Sequence, residues 1–248
     1  MCIRDRYGFN WISSADQLPA AAQALADQFD VNDEGLLVWV GTGKTYQDGA
    51  NATGWGTTAT IDGRTYGWGL PIAQLDSTGS NALVQIGDGN PRFRWGMNHN
   101  VTWKNWDFFA LLDVQVGGNA YNQTNQRMYQ WARSGDVDQA GKAEELKKPI
   151  EYYVALYAAN SPSSYFVENN GFVKLREVSV RYRVPARVLG MMGGLGIREA
   201  SISLIGRNLF TWTDYKGYDP EVGGTIVRLD SFDYPRYRTF TGAITLNY

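Results

Sequence analysis

The last nine residues, Phe240-Thr-Gly-Ala-Ile-Thr-Leu-Asn-Tyr248, alternate in character. Phe240, Ile244, Leu246 and Tyr248 share one parity, and Thr239, Thr241, Thr245 and Asn247 share the other. Successive side chains on a strand point to opposite faces, so the segment predicts a strand with one apolar and one polar face. The same alternation runs between Arg92 and Val116. Phe93, Trp95, Met97, Val101 and Trp103 interleave with Arg92, Arg94, Gly96, Asn98, Asn100 and Thr102. After Lys104-Asn105 the pattern resumes with Trp106, Phe108, Ala110, Leu112, Val114 and Val116 on one side and Asp107, Asp113 and Gln115 on the other. Phe109 and Leu111 are apolar exceptions. Two alternating runs joined by two residues predict a β-hairpin. Further strands are predicted from Phe172 to Val184, from about Arg198 to Trp212 and from about Arg236 to Tyr248.

These runs are long. Each arm of the hairpin matches the ~9–11 residues of a membrane-spanning strand, whereas soluble strands are commonly ~5–6 residues. An apolar outer face, a polar inner face and an aromatic end suit the strands of an outer-membrane β-barrel. The connections agree. If Tyr248 ends on the periplasmic side, Lys104-Asn105 and the Pro185–Ile197 turn are periplasmic. The stretches Gly117–Gly171 and Thr213–Pro235 are then extracellular, giving the short inner turns and long outer loops of such barrels. In the long loop, Asn122–Arg133 and Pro149–Ala159 predict short helices, and the charged stretch Asp136–Lys148 reads as solvated loop. Before Arg92, Leu36–Val40 predicts a short strand. Gly54–Gly69 predicts a hairpin around Asp62-Gly63, and Asp16–Phe29 predicts a helix interrupted early by Pro19.

Composition narrows the classes. The chain has 248 residues, net charge −2, 14% aromatic residues, 28 Gly, 9 Trp and 15 Tyr. The balanced charge excludes a disordered polyelectrolyte and a broad nucleic-acid surface. Tyr and Trp suit a membrane–water interface and equally a sugar-binding surface. The mean hydropathy of −0.35 is compatible with a barrel, whose strands are apolar only at every second position. No stretch approaches the ~20 apolar residues of a transmembrane helix. The lone Cys2 lies in Met-Cys-Ile-Arg-Asp-Arg, which has no apolar core or cleavage site and reads as a non-native leader over residues 1–6.

Catalytic constellations are weak. Gly41-Thr-Gly-Lys-Thr45 lacks the glycine a phosphate loop needs at Val38 and the helix that should follow. His99 is the only histidine and falls among apolar strand positions, which disfavours a triad. Asp136 and Asp138, or Asp219 and Glu221, could be imagined as a glycosidase pair; they read better as solvated loop acids. Gly193, Gly194 and Gly196 read as turn residues. No cofactor and no metal site is expected.

Three stretches carry a resemblance to a known family. They are Ile86-Gly-Asp-Gly-Asn-Pro-Arg-Phe-Arg-Trp-Gly96, Tyr165-Phe-Val-Glu-Asn-Asn-Gly-Phe-Val-Lys-Leu-Arg-Glu-Val-Ser-Val180, and Gly206-Arg-Asn-Leu-Phe-Thr-Trp-Thr-Asp-Tyr-Lys-Gly-Tyr-Asp-Pro-Glu-Val222 with Tyr234-Pro-Arg-Tyr-Arg-Thr-Phe240 and the closing strand. In order and spacing they resemble the C-terminal end of the SusC/RagA family of TonB-linked outer-membrane proteins, from about Leu83 onward. The resemblance implies an all-β fold, the C-terminal portion of a transmembrane antiparallel barrel of about 22 strands, here a fragment with long extracellular loops covering residues 7–248. It implies residence in the outer membrane and import of oligosaccharides or peptides. The implied partners are a SusD-like lipoprotein, the TonB complex acting through an N-terminal plug that this chain lacks, and outer-membrane lipid. No nucleic acid and no enzymatic role are implied. Tyr129, Trp131, Tyr215 and Tyr218 lie in predicted outer loops and are candidate contacts for cargo or lipoprotein. Phe240, Ile244, Leu246 and Tyr248 form a candidate assembly signal. The alternative is a soluble, aromatic-rich carbohydrate-binding β-sandwich, whose apolar faces would pack on a second sheet.

Overall fold

A computed structural model of the chain describes residues 5–47, 54–157, 162–191, 196–223 and 228–248. The chain divides into two compact units.

The second unit, Asn90–Asn119, Asn169–Val222 and Asp233–Tyr248, is built on one antiparallel sheet. Its strands are β1 (Phe93–Trp103), β2 (Trp106–Val116), β3 (Phe172–Arg183), β4 (Glu199–Trp212) and β5 (Thr239–Asn247), neighbours in chain order. The β1–β2 hairpin closes through Lys104-Asn105, with Trp103 opposite Trp106 and Lys104 at φ +54°. A positive φ is unusual for lysine; its ammonium lies 4.9 Å from the Trp103 ring centroid.

Register fixes the faces, because residues paired across antiparallel strands share a side. Trp95, Val114, Val173 and Trp212 form one row across four strands. Val101, Phe108, Val180 and Leu204 form another, and Tyr182, Ile202 and Ile244 a third. Arg94 with Gln115, Asn98 with Leu111 and Glu177, and Arg181 with Asp107 and Ser203 lie on the other side. His99 sits opposite Ala110 on the apolar side. The apolar face is exposed: Trp95 is 54%, Val101 56%, Leu204 65% and Ile244 72% accessible. A sandwich would cover these side chains with a second sheet, so the sandwich expectation is corrected.

A β-bulge interrupts the sheet between Leu175 and Glu177 of β3: Arg176 has no counterpart on β2, and two residues of β4, Asn208 and Leu209, stand opposite it. The sequence carries its mark. Val173 and Leu175 face the apolar side at odd positions, and Val178, Val180 and Tyr182 do so at even ones. Arg176 is the extra residue that resets the parity. The closing strand starts at Thr239, three residues later than expected. The Tyr237 carbonyl is taken by the Asn208 side-chain amide at 3.0 Å rather than by a ladder bond. The Pro185 turn contains a helix, Ala186–Met191, which the sequence reading missed. The Pro185 carbonyl accepts from the amides of Val188 and Leu189, so the proline opens a turn of helix. Gly193 and Gly194 lie outside the described residues; Gly196 takes φ +66°.

The first unit comprises Met1–Gly89, Ala120–Glu168 and Gly223–Phe232. Residues 1–4, Cys2 included, lie outside the described residues, and Asp5–Phe9 pairs with Leu83–Asp88. Leu37–Trp39 pairs with Phe29–Val31, and Thr58–Ile61 with Arg64–Gly67 around Asp62 (φ +50°) and Gly63 (φ +76°). The expected helix over Asp16–Phe29 is instead a four-residue helix, Ala20–Gln23, between two 3-10 turns. Pro19 caps it but leaves too short a run to propagate.

Two helices fall where expected. The first, α1 (Gln123–Gln130), is capped by the Asn122 side chain, which accepts from the Asn125 amide at 2.8 Å. The second, α2 (Ile150–Tyr157), buries Tyr152, Tyr153 and Leu156; Ala158 and Ala159 lie outside the described residues. The core around them is tyrosine-rich, and its hydroxyls are paired as buried polar groups must be. Tyr152 meets Asn32 at 2.9 Å and Glu34 at 3.0 Å, and Tyr153 accepts from Gln139 at 2.9 Å. Burial pushes the Tyr121 hydroxyl up to about 12.

The stretch Asp136–Lys148 is solvated only in part. Asp136 and Asp138 are exposed, but the Lys148 side chain is 4% accessible and ion-paired to Asp33 at 2.8 Å and Glu34 at 2.6 Å. Removing one partner of a buried pair strands the other charges, at a cost of ~3–5 kcal/mol when burial is complete; Asp33 remains partly wet, which lowers it. Lys147 pairs with Glu144 on the surface, where such pairs contribute ~0–1 kcal/mol. In the full-length protein, Lys148→Ala should therefore destabilise this unit by about 2–3 kcal/mol and Lys147→Ala by less than about 0.5 kcal/mol. Native-state hydrogen exchange at the α2 amides measures both, and equal effects would contradict the burial argument.

Candidate functional site

The sheet of the second unit presents two chemistries. Its apolar face ends in aromatic rows. At the hairpin end, Trp103, Trp106 and Tyr182 lie in register, with Trp106 and Tyr182 rings 4.6 Å apart. At the other end stand Phe93, Trp95, Phe210 and Trp212, the last two stacked at 5.8 Å. Val173 and Tyr182, one in each terminal row, are about 30 Å apart along β3 at ~3.3 Å per residue. A strand tilt of ~40° reduces this to about 23 Å, close to the ~25 Å apolar band of a membrane barrel. Among the described residues no helix is long and apolar enough to cross a membrane, so a crossing falls to strands.

The polar face carries a charged cluster beside the bulge. Lys174 reaches Asp219 at 2.6 Å and Glu221 at 2.7 Å. Arg176 grips Glu221 through both terminal nitrogens, at 2.6 and 2.7 Å, and reaches Asp113 from its Nε at 3.1 Å. The bulge makes this possible. It leaves Lys174, Arg176 and Glu177 all on the polar side, where strict alternation would have sent Glu177 to the apolar one. Asp219 and Glu221 are therefore not the solvated loop acids expected from sequence. Asp219 is buried, and the Glu221 side chain is 14% accessible. Nearby, Arg94 donates to Gln115, and Gln115 donates to the Asn170 carbonyl at 3.0 Å. Lys174 and Arg176 were missed in the sequence reading; the parity switch between Leu175 and Val178 was the available signal.

The candidate contact residues separate by exposure. Tyr129 is 1% accessible, its hydroxyl bonded to Asp136 at 2.7 Å and Tyr165 at 3.1 Å, so its ring packs in the first unit's core. Tyr215 is likewise buried. Trp131 is 55% and Tyr218 79% accessible. Trp131 stacks on Phe232, a partner with no signal in the sequence, with centroids 5.7 Å apart. Phe240, Ile244 and Leu246 lie on the apolar face of β5, and Tyr248 follows its last paired residue, Asn247.

Burial alone would raise the Glu221 carboxyl, but hydrogen bonds from Arg176 and Lys174 outweigh it and hold it down at about 2. A carboxyl this low cannot serve as a general acid near neutrality. A group depressed in the folded state contributes stability above its unfolded value and loses it as pH falls through the folded one. The cluster should thus hold the 219–222 segment at neutral pH and begin to weaken below about 4.5, releasing it as pH approaches 2. Proteolysis of the full-length protein across this range, beside Glu221→Gln, tests this. The variant should be cut at neutral pH as the parent is cut only in acid.

No family profile matches the chain. Curated proteins of Formosa agariphila do. TonB-dependent receptor P3 is 28% identical over 203 residues, 77% of this chain and 20% of the receptor. TonB-dependent receptor P26 is 24% identical over 178 residues, 66% of this chain and 18% of the receptor. Among solved structures, the RagAB peptide importer in its open-open state superposes with a TM-score of 0.53 at 17% identity, covering 80% of this chain and 25% of that one. The chain therefore spans about a fifth of the length of the curated relatives it matches. By sequence this chain is a relative of the TonB-dependent receptors and, like them, a protein of the outer membrane; by fold it resembles their barrels.

Proposed function

We propose that the five-stranded sheet is a section of the wall of a closed transmembrane β-barrel, the C-terminal part of a transporter. Residues 7–248 then belong to that barrel and its outer loops. The transporter takes up oligosaccharides or peptides with energy from the TonB complex, received through a plug domain. A SusD-like surface lipoprotein caps it. The observation that carries the reading is the uncovered apolar face bounded by aromatic rows, backed by a charged, internally paired opposite face. Lipid makes such an apolar surface favourable. The wall needs further strands, because the free edges of β1 and β5 leave backbone groups unpaired in a medium without water. The receptor relatives and the importer likeness support transport as the activity. Trp131 and Tyr218 are the exposed members of the aromatic set and are our candidates for cargo or lipoprotein contact, whereas Tyr129 and Tyr215 are buried.

The closing strand carries the test. Tyr248 is one ring in a large wall, so its loss as a stability element is modest. As part of an assembly signal with Phe240, Ile244 and Leu246, its loss blocks insertion. Full-length protein lacking Tyr248, or carrying Leu246→Asp, should be synthesised but absent from the outer membrane in heat-resistant folded form. Thr245→Asp, on the polar face, should assemble normally. Leu204→Arg, near the middle of the apolar face, should cost ~2–4 kcal/mol in bilayers. Normal surface levels of both closing-strand variants would remove the assembly role, and a tolerated Leu204→Arg would remove lipid from that face.

A further inference from the structure

The stacked pair Trp131 and Phe232 is held in place at a cost. Phe232 takes φ +60°, a conformation that bulky residues avoid. Its backbone amide donates to the Thr124 hydroxyl at 2.7 Å, and that hydroxyl donates to Asp230 at 2.6 Å. Asp230 is itself buried, on a short strand paired in parallel with Asn119–Asn122. On the other side, Trp131 caps the C-terminus of α1, and the next residue, Ala132, takes φ +51° where glycine is usual. Two left-handed non-glycine residues thus set two rings face to face, 18° from parallel. The rings gain little burial for this, since Trp131 is 55% and Phe232 48% accessible. Strain that serves packing would hide the rings. Strain that persists while leaving them in solvent points to a binding surface.

We propose that Trp131 and Phe232 form a preorganised stacking platform for a pyranose ring of a neutral oligosaccharide. This rests on the importer reading and assigns it a sugar-contacting site. A stacked pair offers flat outer faces with negative π density, which suit the positively polarised C–H face of a sugar. Beside the rings in sequence stand Gln130 and Ala132, and Ser231 and Asp233; Gln130, Ser231 and Asp233 supply polar groups of the kind the hydroxyl rim of a sugar requires. Among the described residues no Lys or Arg side chain lies over either ring, so the outer faces are open to a neutral C–H surface.

The full-length protein in detergent is titrated calorimetrically with maltohexaose, cellohexaose, laminarihexaose and chitohexaose, and with a tyrosine-containing hexapeptide. At least one hexasaccharide should bind. Trp131→Ala and Phe232→Gly should each weaken it at least tenfold, and Trp131→Phe should keep most of the affinity. Phe232→Gly should melt no lower than the parent, because glycine relieves the backbone. Failure of every hexasaccharide to bind the parent, unchanged binding in both variants, or a lower melting temperature for Phe232→Gly overturns the platform. Binding of the hexapeptide alone, lost in the variants, overturns the sugar assignment. Outer-membrane level and heat-resistant folding are measured in parallel and should match the parent in all variants. A parent absent from the outer membrane would sink the importer reading instead, a result distinct from any change in binding.

Discussion

One constraint governs the larger sheet: side chains on a strand alternate with a period of two, and the two sides carry different chemistries. Most pairings across the five strands respect it, with His99 on the apolar side and Phe109 and Leu111 on the polar one as exceptions. Trp95 reaches Trp212 through Val114 and Val173 without a polar residue in the row. A slip of one residue anywhere would exchange the faces. The register is thus enforced twice, by hydrogen bonds along the ladder and by the mismatch that any other register would create on both surfaces.

The constraint explains what sequence made visible. The β1–β2 hairpin was legible to within a residue, because Phe93 to Val116 alternates almost without fault and Lys104-Asn105 is the only interruption. The edges of β3 and β4 were equally plain. Legibility failed where the period no longer decides. The first unit has short strands and 3-10 turns, and its tyrosine core depends on contacts between residues more than 100 positions apart, such as Asn32 with Tyr152. Nothing local announces that Lys148 in a charged run is buried while Lys147 beside it is not. The helix at Ala186–Met191 was hidden because six residues are too few for a helical period to register.

Of the candidate site residues, the apolar positions of β5 could be read from parity alone. The loop aromatics could not. Tyr129 and Trp131 are two residues apart on one helix end, yet one is core and the other lies in solvent. That difference follows from how α1 rests on Tyr153 and Phe166. Asp219 and Glu221 looked like free loop acids because their partners, Lys174 and Arg176, are more than 40 residues away and are brought to them by the bulge in β3.

The bulge bears on how such a sheet can change over time. In a regular strand, losing or gaining one residue turns everything beyond it inside out, so length varies by pairs or within loops. Arg176 marks a place where an odd residue has been absorbed. Its guanidinium, tied to Asp113 and Glu221, holds the irregularity on the polar side, where water and charge tolerate it. Removing Arg176 would leave Leu175 followed directly by Glu177, matched to the consecutive Leu112 and Leu111, so both faces of β3 would be kept against β2. What would be lost is the grip on Asp113 and Glu221. The bulge is thus a place where the strand can change by a single residue without exchanging its faces.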